Sequence, residues 1–235
     1  MPDSPLALDE AAHAVAYRGV RERVTELLRT APPELLDAIA PATPLWRTRD
    51  IASHIVGVAT DVVNGNVADA AADHWTAAQV AARFDRPIES LIDEWAEAGP
   101  QVEAIVLALP TSITGQLVAD AVTHEHDLRN ALGCPGARHS DALVIAVTWV
   151  IGALGQVYDT AGTPSTRFES DTVAATAGTG EPDATVRAST FELGRAIAGR
   201  RTLAEIAAYD WTPEPHPERV LALPFFTPPA VSLGE

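Results

Sequence analysis

The chain has 235 residues, 47% of them hydrophobic, and a formal net charge of −16, enough length and apolar content for one large domain or two modest ones. The acidic balance argues against nucleic-acid binding, which wants a basic face. Lysine is absent, all 16 cationic side chains being arginine, which excludes Schiff-base chemistry, a lysine-anchored pyridoxal cofactor and the lysine of a phosphate loop.

The first two-thirds of the chain reads as helices. From Leu8 to Thr30, Val15, Val20, Val24, Leu27 and Leu28 alternate with Arg18, Arg21, Glu22 and Arg29 as in an amphipathic helix. Ala31-Pro32-Pro33 ends it, because proline lacks the donor needed to continue. A proline-rich connection, Pro41 to Trp46, leads to a helix from about Asp50 to Val63, stopped by Asn64-Gly65-Asn66. A shorter helix follows His74-Trp75 through Phe84, with Thr76 as its expected N-cap. Arg86-Pro87 introduces a long helix over Ile88–Leu109, expected to break at Gly99-Pro100. The next runs from Gly115 to Leu132. Ser140 to Tyr158 is apolar nearly all round, which predicts a buried helix of the same bundle.

After Pro164 the texture changes. Thr166-Arg-Phe168, Thr172-Val-Ala and Ala184 to Ala188 are short β-prone runs separated by Gly178 to Pro182. Helices are expected from Thr190 to Ala198 and, capped by Thr202, from Leu203 to Tyr209. The proline-rich tail should be irregular and lie across the surface. The predicted fold is mainly α: a helical bundle over residues 1–162 followed by a small α/β (α+β) domain over 163–235, with no internal repeat.

Cys134 is the only cysteine, so an internal disulfide, a CxxC pair and a thiolate zinc cluster are excluded. Any thiol chemistry would use Cys134, which sits in a turn and reads as incidental, or a thiol supplied by a small molecule. Asp3, Asp9 and Glu10 do not fit the basic-then-apolar pattern of a signal peptide. No apolar run reaches the roughly 18 residues of a membrane span. A cytoplasmic protein without membrane or nucleic-acid partners is expected, with a monomer as the default.

The most informative stretch is Asp120-Ala-Val-Thr-His124-Glu125-His126-Asp127. Asp120, His124 and Asp127 stand at i, i+4 and i+7 and project from one helix face. A carboxylate and an imidazole one turn apart form half of a divalent-metal site. The other reading is a solvent-facing helix edge, since Glu125, His126 and Arg129 are also polar. His126 points about 200° around the helix from His124. His54, among Ile51, Ile55 and Val58, is a candidate for the other half, or else a satisfied core histidine. Asp61, on the same face as His54, would orient it or lie at the surface.

Trp46-x-x-x-Asp50-x-x-x-His54-x-x-Gly57, then Asp120-x-x-x-His124-x-x-Asp127-Leu128 and Ala131-Leu132-Gly133, resembles the mycothiol-dependent maleylpyruvate isomerase family. Ala184-Thr-Val, Phe191-Glu-Leu, Gly199-Arg200-Arg201-Thr-Leu and Trp211 extend the resemblance to that family's C-terminal domain, so it covers most of the chain from about Tyr17. The resemblance implies a DinB-like four-helix metal-binding bundle followed by a small domain similar to sterol-carrier proteins. It implies His54, Asp120 and His124 as metal ligands, with aspartate where the family commonly has glutamate. It places an activity-linked arginine of the C-terminal domain at Arg200 or Arg201, with Arg201 favoured, and another substrate-facing arginine at Arg83 or Arg86.

A two-histidine, one-carboxylate site leaves a coordination position open on a divalent ion, expected to be Zn2+. A thiol there, mycothiol by resemblance, is deprotonated near neutral pH. The thiolate then attacks a small electrophile. Addition with rotation gives an isomerase, and displacement of a leaving group gives a transferase. In this scheme Asp127 orients His124 or moves protons, and Arg201 pairs with a substrate carboxylate. The alternative is a non-enzymatic bundle binding a small ligand or a protein, its metal structural or absent.

Overall fold

The structure, a computed structural model, describes residues 8–235. Asp3, part of the N-terminal reading above, lies outside them. By contacts the chain divides into two compact units, Met1–Gly136 and Ala137–Glu235. The sequence reading set the division one helix later.

In the first unit four long helices form the bundle: α1 (Glu10–Thr30), α3 (Thr48–Asn64), α5 (Ile88–Ala108) and α6 (Thr111–Ala131). α1 and α3 each pack on both α5 and α6, which closes the ring. Val20, Val24 and Leu28 of α1 face its core beside Ile51, Ile55, Leu91, Val102 and Val122, whereas Val15 is exposed. Trp95 donates its indole N–H to the Tyr17 hydroxyl at 3.0 Å, so the largest aromatic of the core leaves no buried donor unmet. Charged clamps fix the helices laterally. Glu103 of α5 accepts from Arg18 at 2.7 Å and Arg21 at 2.8 Å on α1. Glu125 of α6, fully buried, accepts a two-pronged fork from Arg23 of α1 at 2.8 and 2.6 Å.

Two short helices complete this unit. α2 (Pro33–Asp37) falls in a stretch read as connection, and α4 (Asp73–Ala82) lies on α3. The N-cap of α4 is Ala72, so Thr76 sits inside the helix instead of capping it. α5 also departs from expectation, running unbroken through Pro100. A proline costs one backbone hydrogen bond, but α5 is held along its length by α1 and α3. At Gly99 the Arg21 side chain occupies the space where a Cβ would stand. Packing on both sides outweighs the local breaker signal.

The second unit begins with α7 (Asp141–Ala161), expected as a bundle helix. It packs instead on β2 (Ala174–Ala177) and α8 (Thr190–Ile197). Its apolar character predicted burial but could not name the neighbour. Gly155 brings α7 to the sheet, where a Cβ would stand 3.0 Å from the Gly178 nitrogen. α7 is long and apolar enough to cross a membrane by length and composition alone, a test that the core helix of a soluble protein also passes.

The sheet has the order β2-β1-β3-β4, with β1 Thr166–Glu169, β3 Ala184–Arg187 and β4 Asp210–Thr212. β1 runs antiparallel to β2 and parallel to β3, and β4 is antiparallel to β3. Phe168 pairs with Ala175 and Val186, and Val186 with Trp211. Thr166, Phe168, Ala184 and Val186 are buried in the alternation that a one-sided sheet requires. The second β-prone run lies two residues later than expected, and the short strand β4 was not anticipated. Ser189 caps α8, and Thr202 with Glu205 forms a capping box on α9 (Leu203–Ala207). Within the proline-rich tail α10 (Pro217–Val220) is helical, and no helix or strand runs through residues 221–235.

Candidate metal centre

α3 and α6 cross within the bundle, and their polar faces meet. His54 Nε2 lies 3.4 Å and His124 Nε2 3.7 Å from Asp120 Oδ1. The three ligand atoms all fall within 4.8 Å of one another. A tetrahedral ion with bonds of about 2.0–2.1 Å separates its ligands by about 3.3–3.4 Å, so the spacing suits a common cation with little movement. The donor set, two imidazoles and a carboxylate, also fits a divalent ion with room for a further ligand. Both histidines are buried, while the Asp120 side chain is 31% exposed and opens the site on its side. The imidazoles meet edge to face at 4.9 Å, and the Trp46 ring lies 5.3 Å from His54 and 6.1 Å from His124.

Each ring is held from behind. His124 Nδ1 lies 3.0 Å from Asp127 Oδ2. The ionised carboxylate accepts there, so Nδ1 carries the proton and Nε2 turns its lone pair to the site. His54 Nδ1 lies 2.8 Å from Gln79 Oε1. The Gln79 amide nitrogen donates to Asp61 Oδ2 at 2.7 Å, which fixes its oxygen as the acceptor facing His54. Asp61 therefore orients His54 at one remove, through Gln79. Burial by itself would lower the His54 pKa, but Asp120, Gln79 and Asp127 outweigh it and the net shift is upward.

Local sequence explains why these groups meet. Gly57, one turn beyond His54, lets α4 approach closely: a Cβ there would stand 2.5 Å from Gln79 Cβ. Asp50 accepts from the Arg47 backbone at 2.9 Å and from its guanidinium, fixing the start of α3 just after Trp46. The reading of α6 as a solvent-facing edge is overturned, since His124, Glu125, His126 and Asp127 are all buried.

The other arginines singled out in the sequence are committed to partners. Arg83 and Arg86 both bind Glu94, Arg86 at 2.6 Å. In the second unit Arg201 engages Glu192 at 2.7 and 3.0 Å and Glu235 at 2.8 Å. Arg200 donates to the Ala198 carbonyl at 2.5 Å. Gln79 is the functional candidate that sequence reasoning missed. It sits 25 residues from His54, on another helix, and the glycine at position 57 was the one trace of its approach.

No family model matches the chain, and no curated protein matches it in sequence. Two solved structures are similar in fold. One is the mycothiol-dependent maleylpyruvate isomerase, with a TM-score of 0.60 at 11% identity. The other is a histidine-to-alanine mutant of a mycothiol-dependent maleylpyruvate isomerase, at 0.58 and 10%. Each similarity covers 88% of this chain and 94% of the other. At such identities the likeness establishes the fold: a helical bundle followed by a small α/β domain.

Proposed function

We propose that the chain is a metal-dependent thiol transferase or isomerase acting on a small electrophile that bears a carboxylate. The convergence of His54 Nε2, Asp120 Oδ1 and His124 Nε2 carries this reading. The fold shared with a mycothiol-dependent isomerase supports mycothiol as the thiol, and two imidazoles with one carboxylate are a ligand set that Zn2+ accepts, as ferrous and nickel ions also do. A divalent ion held there supplies Lewis acidity, lowering the pKa of a thiol at the open position.

The protein groups have separable tasks. His54 and His124 present fixed Nε2 lone pairs because Gln79 and Asp127 occupy the opposite ring nitrogens. Asp120 brings the negative charge. It is one methylene shorter than the glutamate common in the resembling family. Asp127, fully buried, holds the Nδ1 proton of His124 and stabilises positive charge gathering on that ring. We assign Arg201 to the substrate carboxylate, for which a planar guanidinium offers two parallel donors. In the present arrangement those donors face Glu192 and Glu235. This reading makes the protein a cytoplasmic one whose partners are small molecules.

The test is metal analysis of untagged protein, followed by incubation with mycothiol and an unsaturated carboxylic acid. The expected content is about one divalent ion per chain, lost in His54→Ala while the far-UV spectrum is retained. A transferase consumes thiol in step with substrate, and an isomerase returns it. Native protein without metal, or a His54→Ala variant that keeps it, overturns the proposal.

A further inference from the structure

Trp46 completes a triangle of rings with His54 and His124. Its indole lies 5.3 Å from the first imidazole and 6.1 Å from the second, inclined to them by 47° and 36°, and the imidazoles stand 4.9 Å apart. Both imidazoles turn Nε2 toward Asp120. An ion bonded to His54 Nε2 stands about 3.2 Å from the centre of that ring. Added to the 5.3 Å between the rings, this keeps the indole centre within about 8.5 Å of the ion. A ring carried by a further ligand of the ion spans that gap.

The backbone on both sides of Trp46 is pinned. Its N–H donates to the Thr43 carbonyl at 2.8 Å, its carbonyl accepts from Ala40 at 3.0 Å, and Arg47 pairs with Ile39 in an antiparallel bridge. The Arg47 guanidinium then holds Asp50 of α3 and Asp85, each at 2.9 Å. The indole itself is not tied. Trp75, Trp95 and Trp211 donate their ring N–H to oxygens of Asn66, Tyr17 and Ile206 at 2.9, 3.0 and 2.9 Å. That of Trp46 meets no acceptor among the described residues, and Trp46 is half-buried. A tryptophan that serves packing alone is usually buried with its N–H satisfied. Here a fixed backbone holds a partly open aromatic ring next to two candidate metal ligands, as a recognition surface requires.

We propose that Trp46 is the specificity-determining residue of this centre: a flat, conjugated group attached to the ion lies against the indole and is preferred to a saturated group of similar size. Contact between two π systems adds a factor of about two to ten in binding beyond the area it covers, and a puckered ring lacks that gain. The inference rests on the metal-dependent reading given above, whose unsaturated electrophile is flat at its reacting carbons.

Benzohydroxamate and cyclohexanecarbohydroxamate are the probes, two metal chelators of similar size and equal charge that differ in the flatness of the ring. Each is titrated by calorimetry into the full chain loaded with Zn2+. The unaltered chain should bind benzohydroxamate more tightly. Trp46→Leu should lower that preference by about two- to tenfold while holding Zn2+ as before, measured by chelator competition. Trp46→Phe, which keeps a flat face, should retain the preference. If Trp46→Leu does not fold, Trp46→Met takes its place with the same expectation. In the unaltered chain benzohydroxamate should shift the indole N–H resonance that Trp46→Phe lacks, and the saturated probe should shift it less. An unchanged preference in the folded Leu or Met variant overturns the proposal. So does equal weakening of Zn2+ and of both probes, the mark of a tryptophan that only steadies the histidines. Unaltered protein that takes up no Zn2+ overturns the metal-dependent reading and this inference with it, whereas the other two failures leave that reading standing.

Discussion

The two imidazoles of the bundle reach the same point but are anchored in different ways. His124 is held by Asp127, three residues away on its own helix, a fully buried and negatively charged acceptor. His54 is held by Gln79, a neutral amide on α4, which itself depends on Asp61 for its orientation. One anchor is local, charged and built into α6. The other is neutral and exists only while α4 stays docked on α3. Groups behind a metal-binding histidine set ligand basicity and direction, and their loss typically costs 10–100-fold in metal affinity. The charged anchor should lie at the upper end of that range and the amide at the lower.

Asp127→Ala should therefore raise the metal dissociation constant by about 100-fold, measured by chelator competition, and Gln79→Leu by about 10-fold. Equal losses would erase the distinction. A sharper test converts one side into the other. Gln79→Glu alone sets a carboxylate against Asp61 and should weaken binding. Combined with Asp61→Asn, the same change places the negative charge directly behind His54, as Asp127 does behind His124, and affinity should recover to at least its original value. A smaller effect follows from Gly57→Ala. The added methyl meets Gln79 Cβ at 2.5 Å and must push α4 outward. Overpacking of this kind costs about 1–3 kcal/mol, read as a lower denaturant midpoint, and metal affinity should fall by less than it does in Gln79→Leu.

The same contrast explains how much the sequence disclosed. His124, Asp120 and Asp127 were legible because helical periodicity alone puts them on one face, and His54 stood out as an imidazole in an apolar run. The helices of the first unit followed from long amphipathic segments, and their count of four in the bundle from the family resemblance. What escaped depended on neighbours remote in sequence. Gln79 reads as an ordinary polar position of a short helix until α4 meets Gly57. Pro100 reads as a helix end until α1 and α3 enclose α5. The apolar wrap of α7 announces burial, yet the surface that buries it is a sheet formed later in the chain. Arg201 carried a functional expectation from resemblance, and only coordinates reveal that Glu192 and Glu235 occupy its donors.

The smallest predicted effect concerns how α4 is kept in place, and acid is the means to reach it. Arg83, at the C-terminal end of α4, donates to Glu94 of α5, which also accepts from Thr60 at 2.7 Å and Arg86 at 2.6 Å. Burial alone would raise the Glu94 pKa, but Arg83, Thr60 and Arg86 outweigh it and hold the carboxyl below its ordinary value of 4.5. A depressed folded-state pKa means that the contribution is complete above the unfolded value and is lost as pH falls through the folded one. Below pH 4.5 the link from α5 to α4 therefore weakens, and with it the support behind Gln79 and His54. The Glu125 fork holds α6 to α1 and has no part in this link. Hydrogen exchange of α4 should accelerate before that of α6 as metal-free protein is acidified. Glu94→Gln should show the faster α4 exchange already at neutral pH and a flatter response to acid. If α4 and α6 loosen together in both proteins, the anchor of His54 is no more separable from the bundle than that of His124.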